Sequence, residues 1–330
     1  MSEEIIAATS QTSNPVEMDK VAAKLAKKEL LVGMPTKAAA IHGLKEGLSG
    51  FLDLAKVIAP VYFAVALLNY FGAIGLLAHW LKPVMKVFGL PGEAAVVLMT
   101  GYFLSIYGAM GALKALALPN TAITAIGFML LFAHALPVEW AILQKMGARA
   151  WRITFMRLGL SILGGLIYAL LHRGQVPQAT AVISPESLPF TLFLGQTAFG
   201  CLKLLGLIFV IILPVTVISA LARARDVMPK LARRIHFLAG RFGVGETAIA
   251  PLLVGIIFGI LYGGGALIAM ARAGVVKQEE ARTVGTFLGI CHSVFEDPVL
   301  FVLIGGNWVW LWLVRFLTAV ALTPLLRRWI

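Results

Sequence analysis

Apolar residues along this chain gather into long unbroken runs, not into the alternating or three-and-four patterns of half-buried elements. Eight runs stand out, at about 51–78, 93–118, 120–137, 150–171, 190–221, 246–271, 283–304 and 307–326. A helix needs about 20 apolar residues to cross a hydrocarbon core about 30 Å thick. Each run therefore predicts a helix embedded in or crossing a membrane. Residues 1–46 break the pattern. The stretch 1–15 is polar and rich in Ser, Thr and Asn, as disordered segments are. Residues 16–32 are either an amphipathic helix lying on the bilayer or a solvated basic tail. No apolar run follows the Lys24–Lys28 cluster until Phe51, so a cleavable signal peptide is not expected.

The runs repeat. Gly89-Leu90-Pro91-Gly92-Glu93 opens a segment that reaches Tyr107-Gly108-Ala109, and Gly243-Val244-Gly245-Glu246 opens one that reaches Tyr262-Gly263-Gly264. Further on, His134-Ala135-Leu136-Pro137-Val138-Glu139 is answered by His292-Ser293-Val294-Phe295-Glu296-Asp297. Three matches in one order predict an internal duplication. The organisation expected is a tail over 1–46, a first membrane repeat over 47–172, a loop over 173–197 and a second repeat over 198–330.

Composition agrees with a bilayer. The chain is 59% apolar and 13% charged, against about 25% charged and under about 50% apolar in soluble domains. The net charge of +12 does not signal nucleic acid, because the basic residues flank the apolar runs. Their distribution selects a topology. If all eight runs cross, the basic residues fall about 15 to 12 on the two faces. If 93–118 and 246–271 re-enter and return, 22 lie on one face (Lys20–Lys56, Lys145–Arg157, Arg223–Arg241, Arg272–Arg282, Arg327 and Arg328) and 5 on the other (Lys82, Lys86, Lys114, Arg173, Lys203). The positive-inside rule favours the second arrangement. The fold class expected is an all-α polytopic membrane protein of two inverted repeats, each with three crossings and a re-entrant hairpin or broken helix. Both termini are expected in the cytoplasm of a bacterial inner membrane. Gly101, Gly108 and Gly111 in one copy, and Pro251, Gly263 and Gly264 in the other, are candidate breaks, or else sites of close helix packing. Inverted repeats with broken helices are typical of secondary transporters, whose sites lie near the midplane.

Acids inside a membrane are expensive and default to function. Glu93 and Glu246 each follow Gly at the start of a run. They are either first-turn acids favoured by the helix dipole or ligands for a solute hydroxyl, a base or a cation. His134 with Glu139, and His292 with Glu296 and Asp297, place a His four or five residues before an acid. Three uses remain open for them: capping of helix ends at the interface, proton relay by a side chain that titrates near neutrality, and a divalent metal site in which Cys291, His292 and Glu296 supply ligands. Arg315 lies deep in its run, where an acid such as Glu296 is a conceivable partner. There is no phosphate-binding GxxxxGK[ST] loop, no CxxC pair and no serine nucleophile elbow, so no enzyme activity and no cofactor are expected beyond a coupling H+ or Na+. The partners expected are lipid, a small solute or ion, and a second copy of the chain in a homo-oligomer.

At these motifs the chain resembles the nucleoside-recognition, or Gate, domain family of bacterial membrane proteins. The resemblance rests on the Pro-Gly-Glu and Val-Gly-Glu starts, the Gly-rich segments behind them and the motifs His134…Glu139 and His292…Glu296. It covers about 48–326. Val97-Leu98-Met99-Thr100-Gly101-Tyr102-Phe103 is also similar to a Met-Thr-Gly-Gly-Phe run of concentrative nucleoside transporters, with Tyr102 in place of the second glycine. The resemblance implies a transporter-like core with two gates and a nucleoside-like or ionic solute. Related gates occur in ferrous-iron permeases, fused there to a GTP-binding domain that this chain does not contain. A permease working by alternating access is the expectation, with a divalent metal-ion permease or a non-transporting scaffold as alternatives.

Overall fold

A computed structural model describes residues 33–116, 118–172, 189–241, 244–260, 267–268, 276–326 and 329. Among them there are helices and no strands. Backbone groups in hydrocarbon must be satisfied within the chain, and a helix does so locally.

Two long helices frame the molecule. α1 (Thr36–Tyr70) and α8 (Phe190–Ala224) each have 35 residues, start just after a proline (Pro35, Pro189) and carry one inside (Pro60, Pro214). At about 1.5 Å per residue each is some 50 Å long, enough to cross the bilayer and project beyond it. They lie side by side and antiparallel. Phe51 stacks edge-on to Phe209 at 5.0 Å, and Tyr70 lies 4.4 Å from Phe193. At the other end a Cβ on Gly43 would sit 2.7 Å from the Cα of Val217, so the missing side chain lets the backbones close. Arg223 pairs with Glu46 there. Residues 36–46, expected as tail, are thus the first turns of α1, and 190–197, expected as loop, open α8. The expected amphipathic helix over 16–32 lies outside the described residues.

Between them the chain passes through α2 (Ala73–Val87), α3 (Ala94–Phe103), α4 (Ile106–Leu116), α5 (Asn120–Phe132), α6 (Leu136–Lys145) and α7 (Ala150–Leu171). After α8 come α9 (Val227–Arg241), α10 (Glu246–Phe258), α11 (Gln278–Ile290), α12 (Glu296–Val302), a π-helical stretch at Val309–Val314 and α13 (Arg315–Leu326). Among the described residues, five units are long and apolar enough to cross a membrane: 36–70, 120–145, 150–171, 190–224 and 309–326. The sixth expected crossing, 283–304, is interrupted between α11 and α12, where Ser293 adopts φ 48°.

The run 93–118 is two short helices, α3 and α4, that pack on one another. Neither spans about 30 Å alone. Their break falls at Leu104-Ser105 and not at a glycine. Gly101 and Gly108 lie inside the helices, where a Cβ would press on Leu130 and on the Thr100 side chain respectively. Gly263 and Gly264 lie outside the described residues.

The core helices are α5 and α11. Every residue from Ala122 to Phe132 is buried, as is every residue from Thr283 to Ile290. α5 is apolar on all sides, as an interior helix is, whereas α11 opens with exposed Gln278 and Glu279 and enters the interior from Thr283 onward; the other helices close around this pair.

Candidate functional site

α5 and α11 both end in the same unusual way, and the site lies at those ends. After α5 the chain leaves the helix at Ala133-His134-Ala135, with Ala135 at φ 45°, and restarts as α6. After α11 it leaves at Cys291-His292-Ser293, with Ser293 at φ 48°, and restarts as α12. The positive φ costs a non-glycine residue strain, so the surroundings must hold it. The Ala135 N–H donates to the Gly101 carbonyl at 2.9 Å, and the Ser293 N–H donates to the Gly255 carbonyl at 3.2 Å. The missing Cβ at each glycine makes room: one at Gly101 would collide with the Leu130 side chain, and one at Gly255 would lie 2.6 Å from that of Leu288.

Arginines pin both breaks. Arg157 Nε donates to the Phe132 carbonyl at 2.9 Å, and its Nη2 to the His134 carbonyl at 3.0 Å. Arg315 Nε donates to the Ile290 carbonyl at 3.2 Å. In both cases donor and acceptor are 25 residues apart in sequence. Both arginines are almost wholly buried. These carbonyls end helices and have lost their intrahelical partners, so the guanidinium replaces the next turn.

The two histidines meet. His134 Nδ1 lies 2.8 Å from the Leu130 carbonyl, and His292 Nδ1 lies 2.6 Å from the Leu288 carbonyl. A carbonyl only accepts, so each Nδ1 carries hydrogen and donates. Each Nε2 then points inward, and the two Nε2 atoms are 3.2 Å apart. Glu139 Oε1 lies 3.1 Å from the Nε2 of His134 and 3.5 Å from that of His292. Glu139 Oε2 pairs with Arg157 Nη2 at 3.0 Å. Asp297 Oδ2 lies 3.8 and 3.9 Å from the two Nε2 atoms and has no hydrogen-bond partner. His134, Glu139, His292 and Asp297 are each at most 5% exposed.

The halves are matched yet not identical. Glu139 and Asp297 occupy equivalent places five residues beyond their histidines. The extra methylene of Glu139 lets it reach both histidines and Arg157. Asp297 is shorter and makes no ion pair with Arg315, whose Nη1 and Nη2 stay without hydrogen-bond partners.

Several expected site residues fall elsewhere. Of the two acids expected with His292, Glu296 accepts a hydrogen bond from Tyr107 of α4. Asp297 is the one that faces the histidines, because His292 stands in a break, where helical spacing no longer counts. Cys291 is buried beside His292, but among the described residues the converging metal-type ligands are His134, Glu139 and His292. The set Cys291, His292 and Glu296 is therefore not assembled. Glu93 is half-buried at the start of α3, and no ion pair joins it to the cluster among the described residues. Glu246 opens α10. Arg157 was expected among the cytoplasmic flanking charges and instead sits inside the cluster. Its signal was the match to Arg315, each arginine lying equally far beyond its histidine.

Long apolar helices joined through short and broken ones define this as an all-α polytopic membrane protein. A family model described as nucleoside recognition (Gate) matches residues 51–149, the part that holds α3, α4, His134 and Glu139. The chain is 30% identical over 288 residues to the uncharacterized membrane protein YvoD of Bacillus subtilis (strain 168), an alignment covering 86% of this chain and 92% of that protein. No solved structure matches. The chain belongs to the nucleoside-recognition, or Gate, family of membrane proteins.

Proposed function

We propose that this protein is a secondary permease of the bacterial inner membrane, moving a small polar solute of nucleoside-like character by alternating access. One observation carries the reading. Six ionisable side chains, His134, Glu139, Arg157, His292, Asp297 and Arg315, are drawn from both halves of the chain into one nearly dry cluster. Such a cluster adds little to stability over a packed apolar core, and inside a bilayer it marks a path for ions or solutes.

The antiparallel packing of α1 on α8 supports inversion of the second repeat, since these are the first helices of the two copies. On this reading the repeats rock about the His134–His292 contact, and a coupling proton or Na+ drives the rocking. Asp297 and the unpartnered guanidinium nitrogens of Arg315 present an acceptor and donors to a polar solute. Tyr107 carries the movement of the α3–α4 pair to α12 through Glu296. No catalytic step belongs to this scheme.

Proteoliposomes containing the purified chain test it. Uptake of labelled nucleosides, driven by a proton or sodium gradient, is expected from the wild type. It should fall at least tenfold in Asp297→Asn, with protein that elutes normally on size exclusion. Absence of uptake for nucleosides and nucleobases under both gradients, with folded protein in sealed vesicles, overturns the reading.

A further inference from the structure

The geometry points to a metal site: His134, Glu139 and His292 hold one divalent ion of the zinc class, shared between the two halves of the chain, with Asp297 beside the fourth position. The hydrogen bonds of the two histidines give the first reason. Both Nδ1 atoms are committed as donors to the Leu130 and Leu288 carbonyls, which in the neutral rings leaves a lone pair on each Nε2. The lone pairs face one another across 3.2 Å, with carboxylate Oε1 of Glu139 completing the triangle. Three acceptors at such separations repel unless a proton or a metal ion sits among them. Metal-ligating histidines commonly fix their tautomer through such an Nδ1–H to carbonyl bond.

Distances give the second reason. Ligand atoms about 2.0–2.1 Å from a tetrahedral zinc ion lie ~3.3 Å from one another. The three edges here are 3.1, 3.2 and 3.5 Å, so one ion can reach all three atoms with little movement. The third reason is Asp297. Its Oδ2 is buried, has no hydrogen-bond partner and lies 3.8 and 3.9 Å from the two Nε2 atoms. A small rotation brings it onto the ion, or it orders a water there.

The donor set chooses the ion. Two imidazoles suit zinc, cobalt or copper, whereas Na+, Mg2+ and Ca2+ prefer oxygen alone. Arg157 engages Oε2 of Glu139 and leaves Oε1 for the metal. Arg157 and Arg315 also balance the charge of the two carboxylates, which weakens the pull on hard cations and leaves selection to the nitrogens. Because His134 and Glu139 come from one half and His292 from the other, the ion ties the halves together in this conformation.

The site stands whether or not the protein moves solutes, because the test reads binding itself. Tag-free full-length protein in detergent, stripped with chelator, is titrated with Co2+ and followed by visible absorption. The expected result is one equivalent bound with the intense bands of tetrahedral cobalt, displaced by Zn2+. Affinity should fall by more than about 100-fold in His134→Ala and in His292→Gln, since even outer-shell partners are worth about 10–100-fold. It should be unchanged in His42→Gln and Cys291→Ser. Elution volume and far-UV circular dichroism establish that each variant is folded. If a variant does not fold, the wild type still decides: no saturable 1:1 binding, or only the weak bands of six-coordinate cobalt, overturns the site. Loss of binding in Cys291→Ser also overturns it, because the thiol would then be a ligand in place of Glu139. A cluster that holds a proton and no metal gives the first of these negative results while leaving gradient-driven uptake intact.

Discussion

His134 and His292 stand 158 residues apart in the chain, and their Nε2 atoms are 3.2 Å apart in the fold. Each sits where a buried helix stops, each donates from Nδ1 to the carbonyl four residues before it, and each is followed by a residue of positive φ. The contact joins the two halves at a point where the backbone of both is irregular. Irregular backbone at membrane depth survives only inside protein or beside water, so whatever separates these two residues also exposes the broken ends of α5 and α11.

Arg157 is the strongest single support of that point. It serves two carbonyls and the Glu139 carboxylate and is fully buried. Removing one partner from a buried pair costs about 3–5 kcal/mol, whereas removing both costs far less. Arg157→Met is therefore expected to lower the unfolding free energy in SDS titrations by about that amount. Combining it with Glu139→Met should recover part of the loss, the carbonyls of Phe132 and His134 remaining unserved. Arg157→Lys should rescue little, because an ammonium cannot form the guanidinium's fork. Strict additivity of the two Met substitutions would show that the pair does not interact.

How much of this was legible in the sequence differs from residue to residue. The runs that become α1, α5, α7, α8 and α13 are visible because a bilayer demands about 20 apolar residues in a row, and nothing tertiary overrides that. The pairing of His134 with Glu139 was visible as spacing. Asp297 was not separable from Glu296, because the choice between adjacent acids depends on a backbone break whose φ values no spacing encodes. Arg157 was read as a flanking charge, since composition cannot tell an arginine at a helix end from one folded inward to cap another helix. Gly101 admits two readings in the sequence, a break or a close-packing position, and the fold uses the second. The signal for both functions is the same residue in an apolar run.

Gly92 and Gly75 should respond oppositely to alanine. A Cβ at Gly92 would strike the Ala78 backbone, whose carbonyl carbon lies 2.7 Å away, whereas Gly75 in α2 has nothing within 4 Å. Backbone cannot move as a side-chain tip can, and overpacking costs about 1–3 kcal/mol. Gly92→Ala is expected to lower the melting temperature measured by fluorescence-detected size exclusion. Gly75→Ala should leave it unchanged or raise it, since Ala gains up to about 1 kcal/mol over Gly within a helix. A drop for both would mean that α2 does not sit as described.

The bond from Tyr107 to Glu296 links α4 to α12, two short helices from different halves. Tyr107→Phe and Glu296→Gln should each lower stability, and the double substitution should lower it by less than their sum. The coupling expected for groups in direct contact is about 0.5–3 kcal/mol. A double-mutant cycle in detergent measures it, and a coupling near zero would remove this link from the route by which α3 and α4 sense α12.

Inversion of the repeats predicts that α2 and α9 lie at opposite faces. Lys82 and Lys86 belong to the sparsely charged side, and Lys230 belongs to the run of basic residues from Arg223 to Arg241. The antiparallel course of α1 and α8 carries the chain out of the membrane on opposite sides before α2 and α9 begin. Single cysteines at Trp80, which is 75% exposed, and at the exposed Lys230 report the two faces. Cys201 and Cys291 are buried, so the background is low. With an impermeant maleimide on intact cells, Trp80→Cys should label and Lys230→Cys should not. In inside-out vesicles the pattern should reverse. Labelling of both from one side would place the two halves in parallel and break the equivalence of α1 with α8 on which the rocking motion depends.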